Sequence, residues 1–415
     1  MATSASRSST DVRHERGTVG YRRLGAAMWC AGLATFVLIY AVQGLLPTLA
    51  AQFDVAPSVS SLALSATTLT LALAVVPLSA VAESWGRVRV MTAALAASAV
   101  LGVLAPLALS FAVLVAVRAL QGVALAALPA LAMAHVTREV APRHLGGAVG
   151  LLIAGNTIGG LSGRLVASGV ADVAGWRVAL LAVGLLSLVC TAAFRLLLPP
   201  PRADAARAVR LRDLGGQIGR HLRDPGLACL FGLAFLLMSA FVTVYNFLGF
   251  RLLAPPFTLP PALVALIFLG YLLGSSASTA AGRLGDRFGR RTVLWVGLTI
   301  AIVGIGVTVP PWLPAVLTGL ALVTVGFFAG HSLASGWVGR RSALLPGGSP
   351  AVASSLYLFC YYAGSSIGGT VGGVVFDHAG WTGVVGYVGL LLVCALVLGL
   401  ALRRVPARTP PENAA

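Results

Sequence analysis

The chain predicts an all-α membrane protein of twelve transmembrane helices, arranged as two pseudo-symmetric six-helix bundles with both termini in the cytoplasm. Three observations carry that prediction. Hydrophobic residues make up 58% of the 415 positions and charged ones only 10%, whereas about a quarter of a soluble domain is charged. The apolar residues come in uncharged blocks such as Leu24 to Pro47 and Val59 to Ala82, long enough for the ~20 helical residues that cross a hydrocarbon core. Finally, the second half of the sequence repeats landmarks of the first.

Taken in order, the blocks give spans near 24–47, 59–82, 90–106, 111–136, 145–171, 177–198, 227–250, 262–281, 292–309, 313–338, 351–376 and 381–402. Residues 1–23, with Arg7, Arg13, Arg16, Arg22 and Arg23, hold too few hydrophobes to pack and read as a disordered cytoplasmic tail. The apolar block behind them is too long for a cleaved signal peptide and stays as the first helix. The expected units are an N-terminal bundle over 24–198, a cytoplasmic linker over 199–226, a C-terminal bundle over 227–403 and a second tail over 404–415. Within the linker Leu211, Leu214, Ile218 and Leu222 recur at helical spacing among arginines. That pattern fits a helix lying on the membrane surface, and an ordinary charged linker equally well.

Orientation follows from the arginines, because cytoplasmic loops collect positive charge. The chain contains no lysine, and its formal charge of +17 is carried by arginine. With the amino terminus inside, Arg87, Arg89, Arg138, Arg143, Arg283, Arg287, Arg290, Arg291, Arg340 and Arg341 fall in cytoplasmic loops, and only Arg177 and Arg251 at outer ends. Such placement accounts for the basic excess without nucleic acid. Five cysteines, all inside apolar blocks, offer neither a disulfide framework nor a metal site. No cofactor is implied.

The repeat is explicit. "GNTIGGLSG" from Gly155 is followed by "DVAGW" ending at Trp176, and "GSSIGGTVG" from Gly364 by "DHAGW" ending at Trp381. Duplicated six-helix halves suit a carrier, since a site at their interface opens to alternate sides when one half rocks on the other. Gly155, Gly159 and Gly163, and likewise Gly364, Gly368 and Gly372, form small-residue ridges for close helix packing. The sharper expectation is that these ridges form the hinge surface between the halves.

Between spans eight and nine the loop "GRLGDRFGRR" supplies Gly282, Asp286, Arg287, Gly289, Arg290 and Arg291. It matches the G-x-x-x-D-R-x-G-R-R signature and thereby resembles the major facilitator transporters. The equivalent loop after span two, "SAVAESWGRVR", keeps Gly86 and Arg87 but has Ser79 for the usual glycine and Glu83 for the usual aspartate. What the resemblance implies is a cytoplasmic gate in which each loop's acid clamps the opposite half. That places Glu83 near residues 351–354 and Asp286 near residues 145–148. "RALQG", with Arg118, Gln121 and Gly122, is similar to the family's helix-four element. An intramembrane arginine is a functional-site candidate, although Arg118 is near enough to the outer end to snorkel. Longer stretches, among them "AGLATFVLIYAVQGLLP" from Ala31 and "FVTVYNFLGFRL" from Phe241, resemble the YnfM-type inner-membrane transporters of bacteria. That resemblance implies a multi-pass bacterial inner-membrane protein of the efflux branch, a monomer in lipid moving a small molecule with protons as coupling ion.

Polar side chains near mid-membrane mark the candidate substrate cavity: Tyr40, Gln43, Asn156, Arg164, Tyr245, Asn246, His331, Ser335, Tyr357 and Tyr361. All twelve acidic residues map to tails, loops or helix ends. The cavity is therefore expected to be neutral to positive and to favour neutral or anionic compounds. His331, the histidine set well inside a span, is the candidate proton carrier. A metabolite importer needs no change of fold and differs only in flux direction. A membrane enzyme is disfavoured because no nucleophile motif, metal cluster or phosphate loop appears, and a sensor because no soluble appendage does.

Overall fold

A computed structural model describes residues 13–200 and 211–406, apart from the side chains of Ala80, Glu83, Ser84 and residues 211–214. Among these the chain is helical throughout, with one isolated parallel bridge between His14 and Val140. Helices are what apolar segments must form in lipid, where each N–H and C=O has to be satisfied within its own segment.

The N-terminal set comprises α1 (Val19–Tyr40), α2 (Leu46–Phe53), α3 (Pro57–Ser60), α4 (Leu62–Trp85), α5 (Arg87–Leu104), α6 (Phe111–Leu125), α7 (Leu128–Glu139) and α8 (Leu145–Leu197). After α9 (Leu211–Arg223), the C-terminal set comprises α10 (Pro225–Leu253), α11 (Pro261–Leu266), α12 (Leu272–Phe288), α13 (Arg290–Val307), α14 (Leu313–Ala343), α15 (Pro350–Ala363) and α16 (Gly369–Ala401). Among the described residues ten stretches are long and apolar enough to cross a membrane. Two of them are about twice the usual length, and each contains one glycine outside helical geometry: Gly175 in α8 (φ 80°) and Gly380 in α16 (φ 57°). Each glycine sits inside the repeated "AGW" landmark, where a left-handed backbone is cheap only without a side chain. Gly86 and Gly289, with φ of 89° and 84°, make the matching reversals between α4 and α5 and between α12 and α13.

Helix starts carry the expected chemistry. Proline occupies the first turn of α3, α10, α11 and α15, where its missing N–H costs nothing. Thr18 caps α1 by accepting from the Tyr21 N–H at 3.2 Å. The first helix therefore begins at Val19 rather than near residue 24, and ahead of it the His14 N–H donates to the Glu139 carbonyl while the His14 carbonyl accepts from the Ala141 N–H. The tail expected over 1–23 is shortened accordingly; residues 1–12 lie outside the described residues, as do 201–210 of the linker and 407–415.

Packing is close within each set. In the first, α1 runs along α8 and α4 along α6; in the second, α10 runs along α16 and α13 along α14. A Cβ on Gly155, Gly159 or Gly163 would collide with the backbone of Trp29, Leu33 and Val37. One on Gly364, Gly368 or Gly372 would collide with Phe235, Ser239 and Thr243. Both ridges are thus seams inside their own set, α8 on α1 and the stretch from Gly364 into α16 on α10. The expected hinge surface between halves is not where they lie, because the neighbour that a small-residue ridge admits is the first helix of its own set. The two sets meet where α4 lies on α15, α3 on α16 and α11 on α8.

Amphipathic α9 does form, and it is held against the C-terminal set. Arg220 donates to the Gly347 carbonyl at 2.7 Å, and His221 Nε2 accepts from the Ser349 N–H at 3.2 Å.

Candidate functional site

Three breaks in helical regularity surround the centre of the molecule: 3₁₀ turns at Ala41–Leu45 and Ile267–Tyr271, and a π-helical turn at Gly364–Gly368. Such interruptions are frequent at functional positions. Just before the first, the Leu38 and Ile39 carbonyls accept from Arg118, at 2.8 Å each. The same guanidinium donates to the Ala63 carbonyl at 3.0 Å and to Gln121 Oε1 at 2.7 Å, while Gln121 Nε2 donates to the Ser98 carbonyl at 3.2 Å. Gly122 lies against the Thr67 backbone. At 2% exposure Arg118 does not snorkel; it ties α6 to α1 and α4.

Arg164 is the polar centre. Its Nε donates to Gln43 Oε1 at 2.7 Å, Nη1 to the Gly160 carbonyl at 2.6 Å and Nη2 to the Tyr271 hydroxyl at 3.0 Å. The guanidinium lies 4.3 Å from the Tyr40 ring centroid and 4.2 Å from that of Tyr271. Gln43 Nε2 in turn donates to Asn246 Oδ1 at 2.7 Å. Two of these bonds, to Tyr271 and to Asn246, join the two sets.

An aromatic wall faces this cluster from the C-terminal set. Tyr245 hydrogen-bonds Thr324 at 2.8 Å and packs 4.5 Å from Tyr271, and Phe241 stacks on Phe327 at 3.8 Å. Further along, Nδ1 of His331 meets the Tyr357 hydroxyl at 2.9 Å, its ring stacked on Phe327 at 5.7 Å and tilted against Tyr361 at 4.9 Å. Asn156 lies instead at the α1–α8 seam, its Oδ1 against Gly32, and the Ser335 hydroxyl returns to the Ser332 carbonyl of its own helix. Tyr271, Thr324 and Phe241 were not among the candidates; a tyrosine inside an apolar span is the signal that marked Tyr245 and marks Tyr271 as well.

Beyond the Gln43 and Tyr245 side chains opens a cavity of about 310 Å³, lined also by Pro47, Thr48, Ser168, Asp172 and Phe268. On this face the Ser58 N–H donates to Asp377 Oδ1 at 3.2 Å and Thr370 to the Ser65 hydroxyl at 3.0 Å, again across the two sets. The opposite face carries the Gly86 and Gly289 loops, and there the expected contact of Asp286 with residues 145–148 is not made. Asp286 pairs with Arg290 of its own loop at 3.3 Å, its side chain 75% exposed. A carboxylate one turn from an arginine has a partner ready whenever the other set stands away. Arg287 covers the Phe288 ring and Arg291 donates to the Val405 carbonyl. Gly282 meets nothing within 4 Å of an added Cβ, Arg87 opens α5, and the Glu83 side chain lies outside the described residues.

Comparison with known proteins fits this geometry. The Major Facilitator Superfamily model matches residues 28–276 and 250–415. The uncharacterised transporter YybF of Bacillus subtilis is 40% identical over 94% of this chain and 95% of its own. The inner membrane transport protein YnfM of Escherichia coli is 38% identical over 94% and 93%. A chloramphenicol resistance protein of Streptomyces lividans is 27% identical over 94% and 98%. Among solved structures, a bacterial homologue of the human lysosomal transporter Spinster superposes with a TM-score of 0.75 at 18% identity, covering 95% of this chain and all of that one. The apolar helices and the inner-membrane relative make this a multi-pass protein of the bacterial inner membrane, set in lipid and acting on small molecules. With the family model spanning nearly the whole chain and relatives matched almost end to end, the chain belongs to the major facilitator superfamily of membrane transporters.

Proposed function

We propose that the chain is a secondary active transporter that exports small organic molecules by alternating access, with protons as the coupling ion, and that it is not an enzyme. One observation carries this: the two sets are hydrogen-bonded to each other on the Ser58 and Asp377 face, while Asp286 on the motif face is turned to solvent. A carrier with its outer gate shut and its inner gate open has this asymmetry.

In this function the ten apolar stretches make twelve crossings, the two long ones dividing at Gly175 and Gly380. The arginine-rich loops and both termini face the cytoplasm. Residues 24–198 and 227–403 are the rocking bundles of a monomer, joined by the linker 199–226. Glu83 and Asp286 clamp the inner face when it closes, with Gly86, Arg87, Gly282, Arg287, Gly289, Arg290 and Arg291 shaping their loops. Substrate contacts Tyr40, Gln43, Arg164, Tyr245, Asn246, Tyr357 and Tyr361, and His331 carries the proton.

Export, rather than import, is supported by the chloramphenicol resistance protein among the relatives. The test uses everted membrane vesicles with an internal pH-sensitive dye, screening a compound panel that includes chloramphenicol. A transported compound is expected to trigger proton release from the acidified lumen. Vesicles rich in folded protein that show no such release for any compound, while right-side-out vesicles accumulate one, would establish import instead.

A further inference from the structure

We propose that Arg164 is the binding point for an anionic substrate, a carboxylate or other oxyanion on a planar apolar body, and that the anion unlocks the closed face by taking the guanidinium from Tyr271 and Gln43. This role rests on the transport function proposed above and names its substrate class.

The side chain of Arg164 is 1% exposed, and every partner it has is neutral: an amide oxygen, a backbone carbonyl, a phenol and two aromatic faces. Among the described residues no carboxylate pairs with it. A buried cation without a counter-ion is costly, and neutral dipoles offset only part of that cost. The other two buried arginines among the described residues differ, one in having a counter-ion and the other, also without one, in having a fourth N–H engaged. Arg341 is bidentate to Asp224 at 2.5 and 3.1 Å, and Arg118 is spent on three carbonyls and an amide. Arg164 engages one N–H from each of its three nitrogens, which leaves two of a guanidinium's five donors for a ligand.

Of the two hydrogen bonds that join the sets here, Arg164 donates one, to Tyr271, and orients the donor of the other, Gln43. Nε–H can only donate, so Gln43 must present Oε1 to it. The Gln43 amide nitrogen is thereby turned toward Asn246, which must answer with Oδ1. Asn246 Nδ2 is then left buried with no partner among the described residues, a standing cost of the closed arrangement. Were Gln43 free of Arg164, neither amide would be held in this orientation.

An oxyanion forms shorter, charge-assisted and bidentate bonds to a guanidinium, and it outcompetes a phenol and a neutral amide. Its arrival would remove the Arg164–Tyr271 bond directly and the Gln43–Asn246 bond by releasing the relay. Tyr271 ends a 3₁₀ turn between α11 and α12, a place where a helix bends readily. The Tyr40 and Tyr271 rings that now flank the guanidinium would flank the apolar body of the ligand.

The test is binding to the full chain in nanodiscs of phosphatidylcholine alone, at fixed pH and without a gradient, using benzoate and benzamide as probes alike in shape. Its outcome does not depend on proton coupling or flux direction, which the vesicle assay decides separately. Benzoate is expected to bind about tenfold more tightly than benzamide. Arg164→Gln should erase that preference. Gln43→Glu, which supplies an internal counter-ion and keeps the arginine, should erase it too. Tyr271→Phe should tighten benzoate about threefold by removing its competitor, and benzoate should raise thiol labelling of Thr48→Cys in the outer cavity over the unliganded level. Equal binding of the two probes, a preference that survives both Arg164→Gln and Gln43→Glu, or weaker benzoate binding in Tyr271→Phe would overturn the proposal. Displacement of benzoate by phosphatidylglycerol added to the discs would make the anion a lipid headgroup and overturn the substrate assignment.

Discussion

Asp286 and Arg290 form an ion pair one helical turn apart, at 3.3 Å and on the surface, although the same aspartate sits in the gate signature of the family. An exposed pair of this kind contributes about 0–1 kcal/mol, so the residue does little for stability where it stands. Asp286→Asn is therefore expected to insert normally and to lose no more than about 1 kcal/mol of stability. Transport should fall, and cysteine labelling at inner cavity positions should rise as closure weakens. Unchanged flux and labelling would reduce the motif to a turn.

The contrast is Asp224 with Arg341, a pair buried to 3% and 8% exposure, in which Asp224 also caps α10 through the Leu227 N–H at 2.9 Å. Removing one partner leaves the other charge buried, which costs about 3–5 kcal/mol. Asp224→Asn should keep the cap and still melt far below wild type in detergent. A loss as small as that for Asp286→Asn would mean the site is wetter than its burial indicates.

Gly159 and Gly368 occupy seams where an added Cβ collides with Leu33 and Ser239, whereas Val397 is 58% exposed to the lipid side. Overpacking in a tight contact costs about 1–3 kcal/mol even for small additions. Gly159→Leu and Gly368→Leu should impair both thermal stability and transport, and Val397→Leu neither. Equal behaviour of all three would end the close-packing account.

His331 lies beside the aromatic wall, hydrogen-bonded to Tyr357 at 2.9 Å. If it carries the coupled proton, His331→Ala should flatten the dependence of export rate on pH between about 5 and 8, and matched compounds should be exported in the order anionic above cationic. Robust export of a quaternary cation, with undiminished pH dependence in the variant, contradicts both expectations.

Much of this was legible in the sequence because the decisive signals are local. Gly175 and Gly380 announce themselves through the repeated "AGW" landmark, and Gly86 and Gly289 through their loops. Contacts set by three-dimensional pairing were not legible. Nothing in an apolar string shows that α1 gives way to a 3₁₀ turn after Tyr40 or that the Leu38 and Ile39 carbonyls accept from Arg118, so spacing alone does not fix the depth of that arginine. The glycine ridges were read correctly as contact surfaces and given the wrong neighbour, since spacing defines a face and not its partner. Tyr271 carries the same signal as Tyr245, a tyrosine inside an apolar span, but its place beside Arg164 depends on α11 meeting α8.

The attachment of α9 bears on how the chain can be taken apart. Through Arg220 and His221 this helix grips the turn between α14 and α15, more than a hundred residues downstream. Mechanically it is luggage of the second half, which follows the first through the chain between Leu197 and Leu211. A gene split there would deliver α9 together with the surface it grips, whereas a split after Arg223 would strand it on the wrong fragment and uncover the Ser349 cap.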